Sequence, residues 1–304
     1  MIIPVCKNLN LLQGKQPTRF PYCNCLLIED EIRAVIDTGL EMEVIEECQP
    51  ERVDLVINSH GHGDHIHGNR AFTRAKVAIH RLEVDTIISK EAFADGLVGS
   101  WADLMSVPLN FNVDFDYPKT GLTFKDSQII RFPKSRVDFT FDEGDIIDLG
   151  EVKLTVIHTP GHTAGHSCFY WEREGILFST DIDLTRSGPW YGDKMSNLDQ
   201  LIASVYRIRD LKPRILIPGH GRVITDNLEQ RVEVYLSHVF QREEKLLLIL
   251  KQPQTLDALA DQHLIYQDHG NPLFRYWEKV MLLKHLERLE RRGLIKQSDD
   301  QYFI

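Results

Sequence analysis

The sequence predicts an α/β fold of layered strands and helices, extended by a helical C-terminal segment. Three observations carry that reading. Short apolar, partly β-branched runs such as "NCLLIED", "IRAVIDTG" and "DLVINSH" are broken by charged or glycine-containing turns, as strands are. Helical patterns alternate with them, a mixture that belongs to layered α/β domains. From Asn227 onward the apolar positions recur near every third or fourth residue, the period of a helix with one face on a core.

Taken in order, "NCLLIED" and "IRAVIDTG" read as a hairpin, and "DLVINSH" as a strand ending where a run of histidines begins. "GNRAFTRAKVAIH" reads as a short helix and then a strand. Residues from about 88 to 142 form an aromatic-rich insert with little periodicity (Phe93, Trp101, Phe111, Phe115, Tyr117, Phe124), either an added packing layer or a lid that shapes a pocket. "DIIDLGEVKLTVIHTPGH" restores the pattern as a hairpin feeding a second histidine loop. "GILFSTDID" and "PRILIPGHG" are apolar strands that end in acids and in a histidine.

A long helix is expected from Asn227 to about Leu250, broken by "KQPQ". Two more helical patterns follow, with Thr255 suited to an N-cap and Gly293 to a helix end. Two short strands around Ser298, Asp299 and Asp300 close the chain. Helix, helix, helix, hairpin is the order of a winged helix-turn-helix. The division expected is a domain over residues 1–236 and a helical, winged-helix-like domain over 237–304.

The chain has 304 residues, 42% of them hydrophobic, enough for a sizeable core. Its formal net charge of −10 does not mark a general nucleic-acid or membrane binder. No apolar run reaches the length of a bilayer span. The first residues, "MIIPVCKNLNLLQGK", lack the features of a signal peptide, and the five cysteines form no disulfide framework. These readings predict a soluble, cytoplasmic protein.

The stretch "INSHGHGDHIHGN", Ile57 to Asn69, packs His60, His62, Asp64, His65 and His67 together. In extended backbone alternate side chains share a face, so His60 and His62 can point together. Gly61 and Gly63 let the chain curl so that Asp64 and His65 face a neighbouring point. Imidazoles and carboxylates are zinc ligands and also suit iron or manganese. Other strand ends add His162 in "TPGHTAGH", Asp181 in "FSTDID" and His220 in "IPGHG". There is no G-x-S-x-G elbow for a serine hydrolase, and "GPWYGDK" lacks the spacing of a phosphate loop.

In their order, "SHGHGDH", "TPGHTAGHS", "LFSTD" and "PGHG", with "AVIDTG" before them, resemble the metallo-β-lactamase superfamily over about residues 1–236. The resemblance implies a four-layer αββα sandwich with a binuclear metal site at one edge of its sheets. It implies that His60, His62 and His162 hold one metal, that Asp64, His65 and His220 hold the other, and that Asp181 bridges them. The implied cofactors are two divalent metal ions, Zn2+ first, with Fe or Mn as alternatives. Asp37 resembles the acid that orients the ligand loop from behind.

His67 is expected to be structural, His158 and His166 to support the ligand His162, and Cys6, Cys23 and Cys25 to be packed thiols. Trp190 and Tyr191 are expected near the metal entrance. The reaction implied is hydrolysis by a metal-bridging hydroxide, which Asp64 orients and whose proton it passes on. Its most direct substrates are a small ester, thioester or lactone.

The C-terminal sequences resemble the lactamase-β-like-2 branch, which includes an endoribonuclease. That gives a second reading, a phosphodiesterase acting on single-stranded RNA, with Lys284, His285, Arg288, Arg291 and Arg292 as its basic residues. Interleaved Glu287 and Glu290 make a solvated helix face the plainer account of those charges. A homo-oligomer remains open.

Overall fold

The structure is a computed structural model that describes residues 1–14, 21–97, 132, 134–267 and 272–304. The first sheet holds β1 (Ile2–Cys6), β2 (Leu9–Leu12), β3 (Cys25–Ile28), β4 (Ala34–Ile36), β5 (Leu55–Asn58), β6 (Lys76–His80) and β7 (Phe139–Phe141), side by side in chain order. Its first four strands are antiparallel, and β4 to β7 are parallel. The second sheet holds β8 (Ile146–Asp148), β9 (Lys153–His158), β10 (Ser167–Trp171), β11 (Ile176–Thr180) and β12 (Ile215–Pro218). Its strands are an antiparallel meander until β12, which joins parallel to β11.

Strand periodicity decides the layering. Leu26, Ile28, Leu55 and Ile57 face one way and meet Leu154, Val156, Phe169 and Phe178 of the second sheet in a shared core. Their neighbours Cys25, Leu27 and Val56 face the other way and are covered by Val44 and Ile45 of α1 (Met42–Glu47). Both faces of these strands are therefore apolar, which is why the runs read as nearly continuous hydrophobic segments. Three short helices follow β5 and β6: α2 (Gly63–Ile66), α3 (Val84–Ile88) and α4 (Lys90–Leu97).

On the far side of the second sheet, Ile157, Cys168, Leu177 and Leu216 pack under α5 (Leu198–Asp210) and α6 (Leu228–Ile249). The order of layers is helix, sheet, sheet, helix, as the sequence predicts. Helix α5 lies outside the motifs; Leu198, Leu201, Val205 and Ile208 form its buried stripe, and the Asn197 side chain caps it by accepting from Gln200 N–H.

The predicted insert needs correction at its end. Residues 139–141 are β7, paired in parallel with β6 and thus part of the first sheet. Phe93 is buried on α4. Trp101, Phe111, Phe115, Tyr117 and Phe124 of the expected insert lie outside the described residues.

Helix α6 runs unbroken past residue 236. Its first half (Val232, Tyr235, Leu236, Val239) belongs to the layer over the second sheet. Leu246, near its end, belongs to a separate core with Leu259, Leu282, Leu286, Leu289, Ile295 and Tyr302. That core gathers α7 (Leu256–Ala260), α8 (Pro272–Arg291) and a hairpin of β14 (Lys296–Ser298) and β15 (Gln301–Phe303), with β13 (Gln254–Thr255) paired to β15. Thr255 caps α7 by accepting from Ala258 N–H, and Gly293, at φ 69°, ends α8.

Of the five basic residues named above, Arg291 and Arg292 are exposed, as expected of a solvated face, but the other three are not. Lys284, His285 and Arg288 are buried. Lys284 donates to the Lys194 carbonyl, and Arg288 pairs with Glu243 and Asp199. Acids on α5 and α6, out of sight in the local sequence, draw these cations inward. No helix among the described residues is long and apolar enough to cross a membrane.

Candidate metal centre

Strand direction brings the polar strand ends together. Because β10 is antiparallel to both its neighbours, β9, β11 and β12 all run the same way and finish at one edge of the second sheet. The ends of β4 and β5, also parallel to each other, meet that edge: Ser167 N–H donates to the Ser59 carbonyl, and Asn24 N–H to that of Gly219. Asp181 follows β11 directly, His60 and His220 follow β5 and β12 after Ser59 and Gly219, and His162 lies in the loop after β9. Thr180 sits at φ 47°, a costly conformation for a β-branched residue, immediately before Asp181.

All seven predicted residues converge. His60, His62, His162 and Asp181 form one set of donor atoms lying within 4.8 Å of one another, and Asp64, His65 and His220 form another. Asp181 faces both. Its Oδ2 lies 3.1 Å from His162 Nε2 and 3.8 Å from His60 Nε2; its Oδ1 lies 2.9 Å from His65 Nε2 and 3.5 Å from His220 Nε2. Asp64 Oδ2 is 3.3 Å from His220 Nε2.

Hydrogen bonds behind the rings fix which nitrogen faces inward. His65 Nδ1 donates to Asp37 (2.8 Å), and His60 Nδ1 to Ser59 Oγ (3.0 Å), whose own hydroxyl donates to Asp37 (2.7 Å). His162 Nδ1 donates to the Trp190 carbonyl (3.1 Å), and His62 Nε2 to Asp193 (3.4 Å). The remaining nitrogens converge as lone pairs. His62 Nδ1 and His162 Nε2 stand 3.0 Å apart. Among the described residues, His60 Nε2, His65 Nε2 and Asp181 Oδ1 are buried without any hydrogen-bond partner.

Buried polar atoms normally have partners, and atoms that lack them while converging fit a bound cation. Burial, with His65 and His62 beside it, pushes His60 well below the ordinary histidine range. For Asp181 burial opposes ionisation, yet His65, His220 and His162 hold its carboxyl well below the usual range. Ionised carboxylate and neutral imidazole are the forms a metal requires; Asp181 and His60 are shifted that way, whereas His62, His65 and His220 are raised, despite their burial, by the acidic groups around them. The residues present therefore fit a pair of divalent ions.

A third set, Cys23 with Asp37 and His65, is already occupied by hydrogen bonding, since Asp37 takes His65 Nδ1 and Cys23 Sγ rests 3.6 Å from Cys25 Sγ. Cys168 lies on β10 as a strand residue, its thiol pushed up to about 12 by burial. Cys23, Cys25, Cys48 and Cys168 are buried and Cys6 is only partly so. Buried, protonated thiols are inert, so a thiol reagent should titrate about one cysteine in the native chain and all five after denaturation. A native count well above one would contradict this packing.

His67 ends α2 with its ring nitrogens against the carbonyls of Leu40 and Gly63, a structural role. His158 donates to the Ala164 carbonyl, and His166 bonds Thr159 and Thr180 beside the centre. Trp190 lies 5.4 Å from the His62 ring and 5.5 Å from that of His162. Tyr191 departs from expectation. It is fully buried and points toward the tail, 2.7 Å from His285 Nε2 and accepting from Arg242 (2.7 Å). Adjacent residues in extended backbone face opposite ways. Asp193 is a residue that motif reading misses, a single acid in a glycine-containing loop with no pattern around it.

Residues 18–220 match the model of the metallo-beta-lactamase superfamily. The chain belongs to this superfamily. Its fold and its cluster of His and Asp donors agree with that membership. A beta-lactamase-like protein 2 homolog of Drosophila melanogaster is 30% identical over 158 residues, covering 50% of this chain and 51% of that one. A Gallus gallus protein named acyl-coenzyme A thioesterase is 29% identical over 171 residues, covering 55% of this chain and 56% of that one. The matched stretch thus spans about half the length of these curated relatives. A metallo-beta-lactamase family protein from Thermus thermophilus superposes with a TM-score of 0.74 at 25% identity, covering 99% of both chains.

Proposed function

We propose that this superfamily member is a binuclear hydrolase of small acyl thioesters, with esters and lactones as the neighbouring substrates. The observation that carries the binuclear reading is Asp181, whose two carboxylate oxygens face two separate donor sets. His60, His62 and His162 would hold one ion, Asp64, His65 and His220 the other, and Asp181 both. Nitrogen and oxygen donors suit zinc, with iron and manganese as alternatives. Ions bound there would supply Lewis acidity toward an acyl carbonyl and an acidified water. Asp64, buried beside His220, would orient that water and take its proton. Asp37 and Asp193 would hold His65 and His62 in the required tautomers.

The acyl preference rests on the surroundings and on the thioesterase named among the relatives. Trp190 contacts Trp277 of α8 at 5.9 Å; Phe274 lies 6.2 Å further on, and Tyr266 stacks on it at 5.3 Å. This line of partly buried aromatic rings leads from two donor histidines to the C-terminal segment and, in this reading, would offer its open side to an apolar chain. In this reading residues 1–236 supply the chemistry and 237–304 a wall of the substrate site. The RNA reading loses its support, because the buried cations of α8 are taken up by internal partners.

The test is hydrolysis by metal-analysed protein of acyl thioesters of increasing length, lactones and aryl esters, beside labelled single-stranded RNA. Metal-dependent thioester turnover is expected, lost in His60→Ala. Trp277→Ala should lower kcat/KM roughly tenfold on long acyl chains and little on acetyl, the scale of a lost methylene contact. RNA cleavage that disappears in His60→Ala, without acyl turnover, would overturn the proposal.

A further inference from the structure

Glu83 is a buried carboxylate outside the donor sets, on the 3-10 turn Arg81–Glu83 that follows β6. It bonds both histidine loops at once. Its Oε2 accepts from Gly61 N–H at 3.1 Å, and Gly61 stands between His60 and His62. Its Oε1 accepts from Thr163 Oγ1–H and from Gly165 N–H, both at 2.7 Å, just after His162. A side chain at Gly165 would collide with it, and one at Gly61 would collide with Thr86 and crowd it. A Cβ at Gly165 would lie 2.6 Å from Glu83 Cγ, and one at Gly61 would lie 3.0 Å from Glu83 Oε2 and 2.7 Å from Thr86 Cγ2. Both loops approach the carboxylate as closely as bare backbone allows.

We infer that Glu83 is a positioning residue that fixes the spacing of the two histidine loops, and with it the geometry of His60, His62 and His162 alone. Hydrogen bonds from N–H and O–H groups to a buried carboxylate are charge-assisted and directional, so they resist changes of a few tenths of an ångström. None of the three bonds reaches Asp64, His65 or His220. His65 is held instead by Asp37, and His220 by its place at the end of β12. The clamp therefore acts on one donor set and leaves the other as it is.

This inference rests on the ligand assignment proposed above. The experiment is zinc release from the loaded full chain into a chromophoric chelator, for wild type and Glu83→Gln, with the histidine ring-nitrogen NMR signals followed in parallel. Glutamine keeps the size but turns an amide NH2 toward a donor. One zinc should be released roughly 10–100-fold more readily, the range for losing an outer partner of a metal ligand. The other should be unaffected, and the signals that change should be those of His60, His62 and His162.

Thr163→Val removes one donor and leaves Glu83 in place. It should shift the same zinc in the same direction by less, and so decides the matter if Glu83→Gln does not fold. Equal loss of both ions, or of neither, from a variant whose wild type holds two overturns the clamp alone. A wild type that binds no zinc overturns the ligand assignment and the clamp with it.

Discussion

Asp181→Ala should strip both metal positions together, leaving less than one ion per chain and lowering turnover by more than about 100-fold, beyond the usual effect of losing an outer partner. The reason is the division of labour within one carboxylate. Oδ2 stands with His162 and His60, and Oδ1 with His65 and His220. Its loss also leaves buried imidazoles facing one another without the anion that offsets them. His220→Ala offers the contrast, because it removes a donor from one set only and should cost one ion first. Metal analysis and turnover on the same preparations check this. A fully loaded, active Asp181→Ala protein would sink the bridging assignment.

Glu243→Ala should destabilise the chain by roughly 3 kcal/mol, the lower end of the cost of breaking a buried ion pair. Arg288 Nη1 donates to both Glu243 oxygens at 2.6 and 2.5 Å, and His285 Nδ1 lies 3.5 Å away. His285 continues to Tyr191, which accepts from Arg242, so one polar network joins α6, α8 and the loop beside the centre. Removing the acid strands Arg288 in a buried position with Asp199 as its remaining partner. Urea midpoints measure the effect. Glu243→Met with Arg288→Leu should recover most of it, since apolar residues of similar volume often replace a buried pair without loss. An unchanged midpoint in Glu243→Ala would mean that the network contributes nothing to holding the tail.

What the sequence made legible follows a physical line. Donors that stand together in the chain, His60 to His65, are readable because glycine spacing and alternation already place them. His162, Asp181 and His220 are readable because each closely follows an apolar strand, and strand ends gather at one edge of a layered sheet. Asp193 and Glu83 are not readable this way. Each is a lone acid whose partners come from distant loops, and nothing local distinguishes it from a surface carboxylate. The α8 cations mislead for the same reason, since their counter-charges Glu243 and Asp199 lie on other helices. Strand β7 is hidden by its brevity and by the aperiodic stretch before it.

The parallel run of β11 and β12 also sets when the centre can exist. During synthesis His60, His62, Asp64 and His65 emerge early, while Asp181 and His220 are still unmade. An ion meeting that early stretch finds a partial set with no bridging acid and nothing behind β12 to complete it. Small zinc modules use the metal to organise the chain. In the centre proposed here the order would be reversed: capture of both ions would follow docking of the last strand of the second sheet, so a released chain would have to finish its sheet before it could be armed.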